Sequence, residues 1–333
     1  MRRVVALLAA VLAGSGLAAC GGDGAEPGAR ERATLVLDFQ PNAVHAGIYS
    51  ALARGFYERE GIELEVREPS ASTDAPKLLA AGRTELAILD IQDLGLARER
   101  GIDVVGVMPI VQRPLAAVIA GDRAEVTRPR ELEGRTVGVT GLPSDDAVLD
   151  SVVRADGGDP LQVERVTIGF ESIAALAAGR VDAATAFWNA EGVALRRRGI
   201  PTREFRVDDY GAPRYPELVL ATSAETLRDR PGMVGSVRRA TSAGNRLVIT
   251  DPDAALEHLL AEVEGLDPVE QRAQLEALTY ARAFSPPGSF DLGELDAWSA
   301  WAAEVGILEP QRTTSLGQAF RIGQGRAADI APD

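Results

Sequence analysis

Short β-rich runs and amphipathic helical stretches alternate along this chain, and no other feature constrains the fold as tightly. Strand patterns fall at 34–37, 63–67, 86–89, 104–108, 116–120, 136–140, 165–168, 183–187 and 218–222. Helical patterns separate them at 43–54, 75–81, 93–100, 145–155, 172–178 and 190–198. Such alternation predicts an α/β fold with a mostly parallel sheet covered on both faces. From Ala224 the pattern turns almost wholly helical, through 254–264, 268–279 and 292–305. With 333 residues, 46% of them hydrophobic, the chain is ample for a packed core and long for one domain.

Open α/β sheets hold small ligands beyond the carboxyl ends of their strands. That directs attention to Leu37-Asp38-Phe39-Gln40-Pro41-Asn42-Ala43-Val44-His45-Ala46-Gly47, where a strand runs into a polar turn and then a helix. Asp38, Asn42 and His45 offer hydrogen bonds, Phe39 an aromatic face, and the following helix aims its amides at the same place. Taken alone, the segment reads equally well as a helix start, with Pro41 in the first turn and Asn42 as its cap.

The first residues address the compartment. Arg2 and Arg3 precede an apolar run over 4–11, and Leu17-Ala18-Ala19 leads to Cys20. This resembles a bacterial lipoprotein signal over 1–19, with Cys20 as the lipid-modified first residue of the mature chain and 20–33 as a tether. The run is shorter than the ~18 apolar residues of a membrane-spanning helix. Cys20 is the sole cysteine, so the mature protein has no disulfide and no cysteine-based metal site.

Charge excludes further classes. The formal charge is -14, and loss of Arg2 and Arg3 with the leader leaves 33 basic against 49 acidic side chains. That balance argues against nucleic acid and against a polybasic grip on lipid, leaving the lipid on Cys20 as the membrane attachment. Two distant histidines make a zinc site improbable, and no Gly-x-Ser-x-Gly nucleophile lies outside the leader. Lys77 is the only lysine, so any Schiff-base chemistry would depend on it.

Three stretches then point to one family. Leu-Asp-Phe-x-Pro-Asn-x-x-His-x-Gly-x-Tyr from Leu37, with Ala53-Arg54-Gly55-Phe56-Tyr57 and Glu60-Gly61-Ile62, resembles the opening of solute-binding lipoproteins for thiamine pyrimidine precursors. Ala80-Ala81-Gly82-Arg83-Thr84-Glu85-Leu86-Ala87 leads to Asp90-Ile91-Gln92-Asp93, where the family carries a ligand-facing loop. Ala178-Gly179-Arg180-Val181-Asp182-Ala183 leads to Phe187-Trp188-Asn189-Ala190-Glu191-Gly192. The resemblance spans roughly 34 to 310. It implies a two-lobed periplasmic binding protein of the venus-flytrap type (type II), with lobe 1 over 34–118 plus 220–333 and lobe 2 over 119–219. It also implies an extracytoplasmic, non-enzymatic component of an ABC importer whose permease and ATPase lie on other chains. The implied ligand is an aminopyrimidine of hydroxymethylpyrimidine or formylaminopyrimidine type, with no cofactor.

An aminopyrimidine needs aromatic faces and a few fixed hydrogen-bonding groups. Phe39 and Trp188 and, more weakly, Tyr210 or Tyr215 are expected to sandwich the ring. Asp38, Asp93 and Glu191 are expected to accept from its amine, with Asn42, Gln92 and Asn189 as mixed donors and acceptors. His45 would meet a ring substituent, and Ser144 would offer its hydroxyl from the turn 141–146. Riboflavin, nitrate and alkylsulfonates are the alternative ligands; anions fit poorly because these motif residues are acidic or neutral. The rival from another class is the fungal pyrimidine synthase, which uses pyridoxal phosphate, iron and a cysteine-rich motif. This sequence has no lysine near Leu89, no histidine at Gln92-Asp93 and no cysteine cluster.

Overall fold

The computed structural model describes residues 30–69, 74–309 and 320; the proposed leader and Cys20 lie outside the described residues. The strands are β1 (Glu31–Val36), β2 (Ile62–Arg67), β3 (Leu86–Asp90), β4 (Val104–Val111), β5 (Ala116–Gly121), β6 (Thr136–Val139), β7 (Glu164–Thr167), β8 (Ala183–Phe187), β9 (Thr202–Arg206) and β10 (Leu218–Ser223). The helices of the first half are α1 (Ala46–Ala53), α2 (Phe56–Arg59), α3 (Asp74–Ala80), α4 (Ile91–Glu99), α5 (Pro143–Ala155) and α6 (Ser172–Ala178). They continue with α7 (Glu191–Arg197), α8 (Ala224–Asp229), α9 (Pro231–Thr250), α10 (Pro252–Glu262), α11 (Pro268–Tyr280) and α12 (Leu292–Glu304).

Two five-stranded sheets result, in the orders β2-β1-β3-β10-β4 and β7-β6-β8-β5-β9, one for each lobe of a two-lobed α/β fold. Within each sheet four strands run parallel and one runs against them. The reversed strands, β10 and β5, are the ones the chain enters after passing from one sheet to the other. Strand membership changes across 112–115 and 207–217, whereas the resemblance implies divisions at 118/119 and 219/220.

Helices cover both faces of each sheet, because alternate strand residues are apolar on both sides. Leu35 and Leu37 join α1 and α9 in one core, while Val36 turns to Leu79 of α3 and Leu94 of α4 in another. In the second sheet Ile119 packs in the same core as Leu176 of α6 and Leu195 of α7; Val118 sides with Leu149 and Val152 of α5. The helices α1 and α9 approach through glycine. A Cβ added to Gly244 would sit 1.9 Å from the Gly47 carbonyl oxygen, so only bare backbone allows that contact.

The expected strands all form, and one more appears. β9, Thr-Arg-Glu-Phe-Arg, buries only Phe205 and edges its sheet, where charged side chains discourage further pairing and mask the strand pattern. β1 likewise begins at Glu31, inside the stretch read as tether, because Glu31 and Arg32 pair with Ile62 and Glu63 while staying exposed.

Candidate functional site

The two reversed strands fix where the site lies. Leu218 pairs with Asp90 and Ala116 with Phe187, so β10 and β5 start beside the finishing ends of β3 and β8. Glu217 consequently stands next to Asp90, and both face the ends of β6 and β8 across the cleft. A cavity of about 790 Å³, counting space open to solvent, fills this junction. Asp38, Phe39, Asn42, Asp90 and Glu217 wall it from one side; Thr140, Ser144, Asp145, Phe170, Phe187 and Glu191 wall it from the other.

Aromatic groups meet across the opening. Phe39 and Phe170 pack edge to face with centroids 4.5 Å apart, joining the turn after β1 to the turn before α6. A second bridge lies between α4 and the start of α5. Ser144 donates its backbone N–H to Asp93 Oδ1 at 3.2 Å and its hydroxyl to Asp93 Oδ2 at 3.0 Å. Arg198, just beyond α7, also reaches Glu270 of α11 at 3.7 Å.

Five carboxylates line the cavity, and among the described residues no lysine, arginine or histidine lines it. Four of the five have donors inside the protein. Asp38 Oδ1 lies 2.9 Å from His45 Nε2, and Asp145 accepts from the Thr140 N–H at 2.6 Å. Glu191 accepts from the Phe187 N–H at 3.0 Å, and Glu217 from Leu115 and Ala116, the latter at 2.9 Å. Asp90 differs, since its Oδ1 is buried without a hydrogen-bond partner among the described residues.

Burial dominates the electrostatics here. It pushes Asp90 well above the carboxylate range, reinforced by the neighbouring charges of Asp93, Glu217, Asp38 and Asp145. Burial raises Asp93 to about 7 against the Ser144 hydrogen bonds, and Glu217 to about 7 against its two backbone donors. Asp145 and Glu191 are raised for the same first reason.

The motif residues separate into wall and support. Asp38, Phe39, Asn42, Ser144 and Glu191 line the cavity. His45 does not, correcting its expected contact with a ring substituent. Its Nδ1 accepts the Asn42 N–H at 3.2 Å, which leaves Nε2 to carry the proton and donate to Asp38. Asn42 caps the same turn through the Val44 N–H and also lines the cavity.

Gln92 and Asp93 also miss the cavity, because α4 begins at Ile91 and turns them away. Gln92 donates to the Tyr215 hydroxyl at 2.8 Å, and Asp93 clasps Ser144. Trp188 is a correction too: its indole N–H bonds the Pro114 carbonyl at 3.0 Å, and the Arg206 guanidinium covers its ring at 4.5 Å. Asn189 is fully buried outside the lining, and Tyr210 packs edge-on to Phe205 at 6.2 Å.

The resemblance places Asp90 in a ligand-facing loop, but sequence reasoning names none of Asp90, Asp145, Phe170, Phe187 or Glu217 as a binding side chain. A signal exists for three of them. Asp90 and Phe187 finish apolar strand runs and Glu217 immediately precedes one, all at the ligand end that open α/β sheets share. Phe170 depends on the turn before α6 folding back, which no periodicity announces, and Asp145 sits in the first turn of α5, where an acid reads as an ordinary helix start.

Three relatives frame this geometry. The formylaminopyrimidine-binding protein of Halalkalibacterium halodurans is 32% identical over 301 residues, covering 89% of this chain and 90% of that protein. The 4-amino-5-hydroxymethyl-2-methylpyrimidine phosphate synthase of Legionella pneumophila is 24% identical over 233 residues, covering 69% and 73%. The alkanesulfonate-binding protein SsuA of Xanthomonas axonopodis pv. citri, bound to MOPS, shares the fold at a TM-score of 0.69 and 18% identity, covering 89% of this chain and 99% of that one. The family described as NMT1/THI5 like matches residues 42–255, and the chain belongs to it.

Proposed function

We propose that this protein is the extracytoplasmic substrate-binding component of an ABC importer and that its ligand is an aminopyrimidine precursor of thiamine. One observation carries the ligand class: a cavity walled by Phe39, Phe170 and Phe187 and by five carboxylates, with no cationic side chain among the described residues. Flat rings suit the aromatic edges, and amine N–H groups suit the carboxylates. An anion suits neither. At 4 Å an ionised carboxylate would repel a unit negative charge by about 4 kcal/mol at a typical effective dielectric, and a carboxyl that burial keeps protonated offers no charge to attract one, which disfavours nitrate and alkylsulfonates.

The relative named for formylaminopyrimidine binding supports this reading over most of both chains. The synthase relatives favour a different activity, and the cavity residues weigh against it. Lys77, the sole lysine, is exposed on α3, and the cavity offers neither an amine for an imine nor a cation for a phosphate. The protein would close around its ligand by movement at 112–115 and 207–217 and present the closed form to its permease. Cys20 would carry the lipid that holds it at the membrane; Cys20→Ala should release the protein into the soluble fraction.

Calorimetric screening tests the assignment with hydroxymethylpyrimidine, formylaminopyrimidine, thiamine, riboflavin, nitrate and taurine. Binding of one or both pyrimidines, with no heat from the anions, is the expected result. A response to taurine or nitrate alone would refute it.

A further inference from the structure

We propose that the cleft binds its heterocycle in a singly protonated pair, one proton being shared between the Asp90 carboxyl and a ring nitrogen of the aminopyrimidine. This rests on the aminopyrimidine reading above and adds the charge state of the complex.

Asp38, Asp145, Glu191 and Glu217 each have a protein donor, whereas Asp90 Oδ1 is buried with none. A buried acceptor without a partner is costly, so the bound ligand is the natural source of that bond. An aminopyrimidine presents its exocyclic NH2 beside a ring nitrogen, and these two atoms match the two oxygens of one carboxyl. The NH2 donates to one oxygen. The ring nitrogen of the neutral base is an acceptor and faces the other oxygen, also an acceptor. Only one added proton turns that second contact into a hydrogen bond.

The surroundings favour adding it. Asp38 at the end of β1, Asp93 one turn into α4, Asp145 on α5 and Glu217 before β10 all face Asp90, and the Tyr215 hydroxyl lies nearby. Every one is acidic, the cavity has no cationic side chain among the described residues, and His45 is already committed to Asp38. A proton entering this group lowers its mutual repulsion whether it rests on oxygen or nitrogen. It comes from the buffer, and no other bond is made or broken. Among the described residues no His, Cys, Asp and Glu cluster is arranged to hold a metal ion in its place.

The pH window separates this proton from its neighbours. Asp93 and Glu217, raised to about 7, are largely deprotonated by pH 8. Asp145 and Glu191 are raised by burial as well, so uptake that persists above pH 8 is assigned to Asp90 and the ring by its loss in Asp90→Asn. Titrating hydroxymethylpyrimidine at pH 8 in buffers of different ionisation enthalpy should give an uptake near one proton, with Kd rising about tenfold per unit toward pH 9. The 4-oxo analogue carries an acceptor in place of the amine and a non-basic ring, and should bind about a hundredfold more weakly. Asp90→Asn, shown folded by its thermal transition, should abolish the uptake; the analogue makes the same test without altering the protein. Tight binding with no proton uptake and a flat Kd from pH 8 to 9 would overturn the proposal. Failure of every pyrimidine to bind would overturn the functional reading beneath it, and the proposal with it.

Discussion

Asp93→Asn should tighten ligand binding at pH 8. Asp93 does not line the cavity; its two oxygens receive the Ser144 N–H and hydroxyl from the opposite lobe. Asparagine keeps that geometry, with its carbonyl accepting the N–H and its NH2 donating to the hydroxyl oxygen, and it removes the buried charge. The size of the gain follows from the carboxyl's displacement from 3.8 to about 7, a value already net of the Ser144 bonds. A displacement that large corresponds to about 4 kcal/mol. That is an upper limit, reached only if opening fully solvates Asp93. Burial fixes the direction. Between about pH 4 and 7 the closed form holds a proton that a solvated carboxyl has released, so closure weakens as pH rises through this window and levels off above 7. The variant should bind at least about tenfold more tightly at pH 8 and lose up to one proton of pH dependence below pH 7. Titration calorimetry from pH 5 to 9 reads both quantities, and small-angle scattering reads closure directly. Equal or weaker affinity at pH 8, with an unchanged pH profile, would refute the reasoning.

Phe170→Ala should weaken pyrimidine binding by about 1–3 kcal/mol through loss of the aromatic edge opposite Phe39; calorimetry with an unchanged Kd would return Phe170 to packing alone. Trp188→Phe should leave Kd unchanged while lowering stability by about 1 kcal/mol, because it deletes the indole bond to Pro114. A thermal melt paired with a binding titration separates those outcomes, and a large loss of affinity would contradict the placement of Trp188. Gly244→Ala should destabilise the fold by about 1–3 kcal/mol or more, since its Cβ would meet the Gly47 carbonyl at 1.9 Å. Denaturant unfolding measures this, and a neutral result would mean that α1 and α9 part freely.

The fold was legible in the sequence because the strand pattern is local. Runs such as 86–89 and 218–222 are bounded and largely apolar, so their positions follow from composition and flanks. Direction was less legible: only pairing reveals that β5 and β10 run against their neighbours. The site was half visible for the same reason. Asp38 and Glu191 border strand or helix boundaries and could be read from the chain. Gln92 and Asp93 looked equivalent to Asp90, yet α4 starts at Ile91 and the helical rotation leaves Asp90 alone at the cavity wall. Trp188 carried the expectation attached to any aromatic residue in a motif, and what claims it is Pro114, distant in sequence and in the first of the two passages between sheets.

That passage explains why so many charged groups are tolerated beside an apolar cavity. Glu217 bonds the N–H groups of Leu115 and Ala116, tying the second passage between lobes to the first, while the Ile91 N–H bonds the Glu217 carbonyl and anchors α4 to the same point. The carboxylate therefore serves two ends with one side chain. It organises the backbone where both passages meet, and it lines the cavity. His45 does the equivalent for Asp38, committing one nitrogen to the Asn42 turn and the other to the carboxylate. In each case a backbone device holds an acid at the cavity wall, so removing the acid costs local structure as well as a lining group. Asp90 escapes that double duty, since no side-chain cap bond ties it to α4 and its Oδ1 has no partner. Of the five acids it is the one with a buried oxygen that has no partner among the described residues.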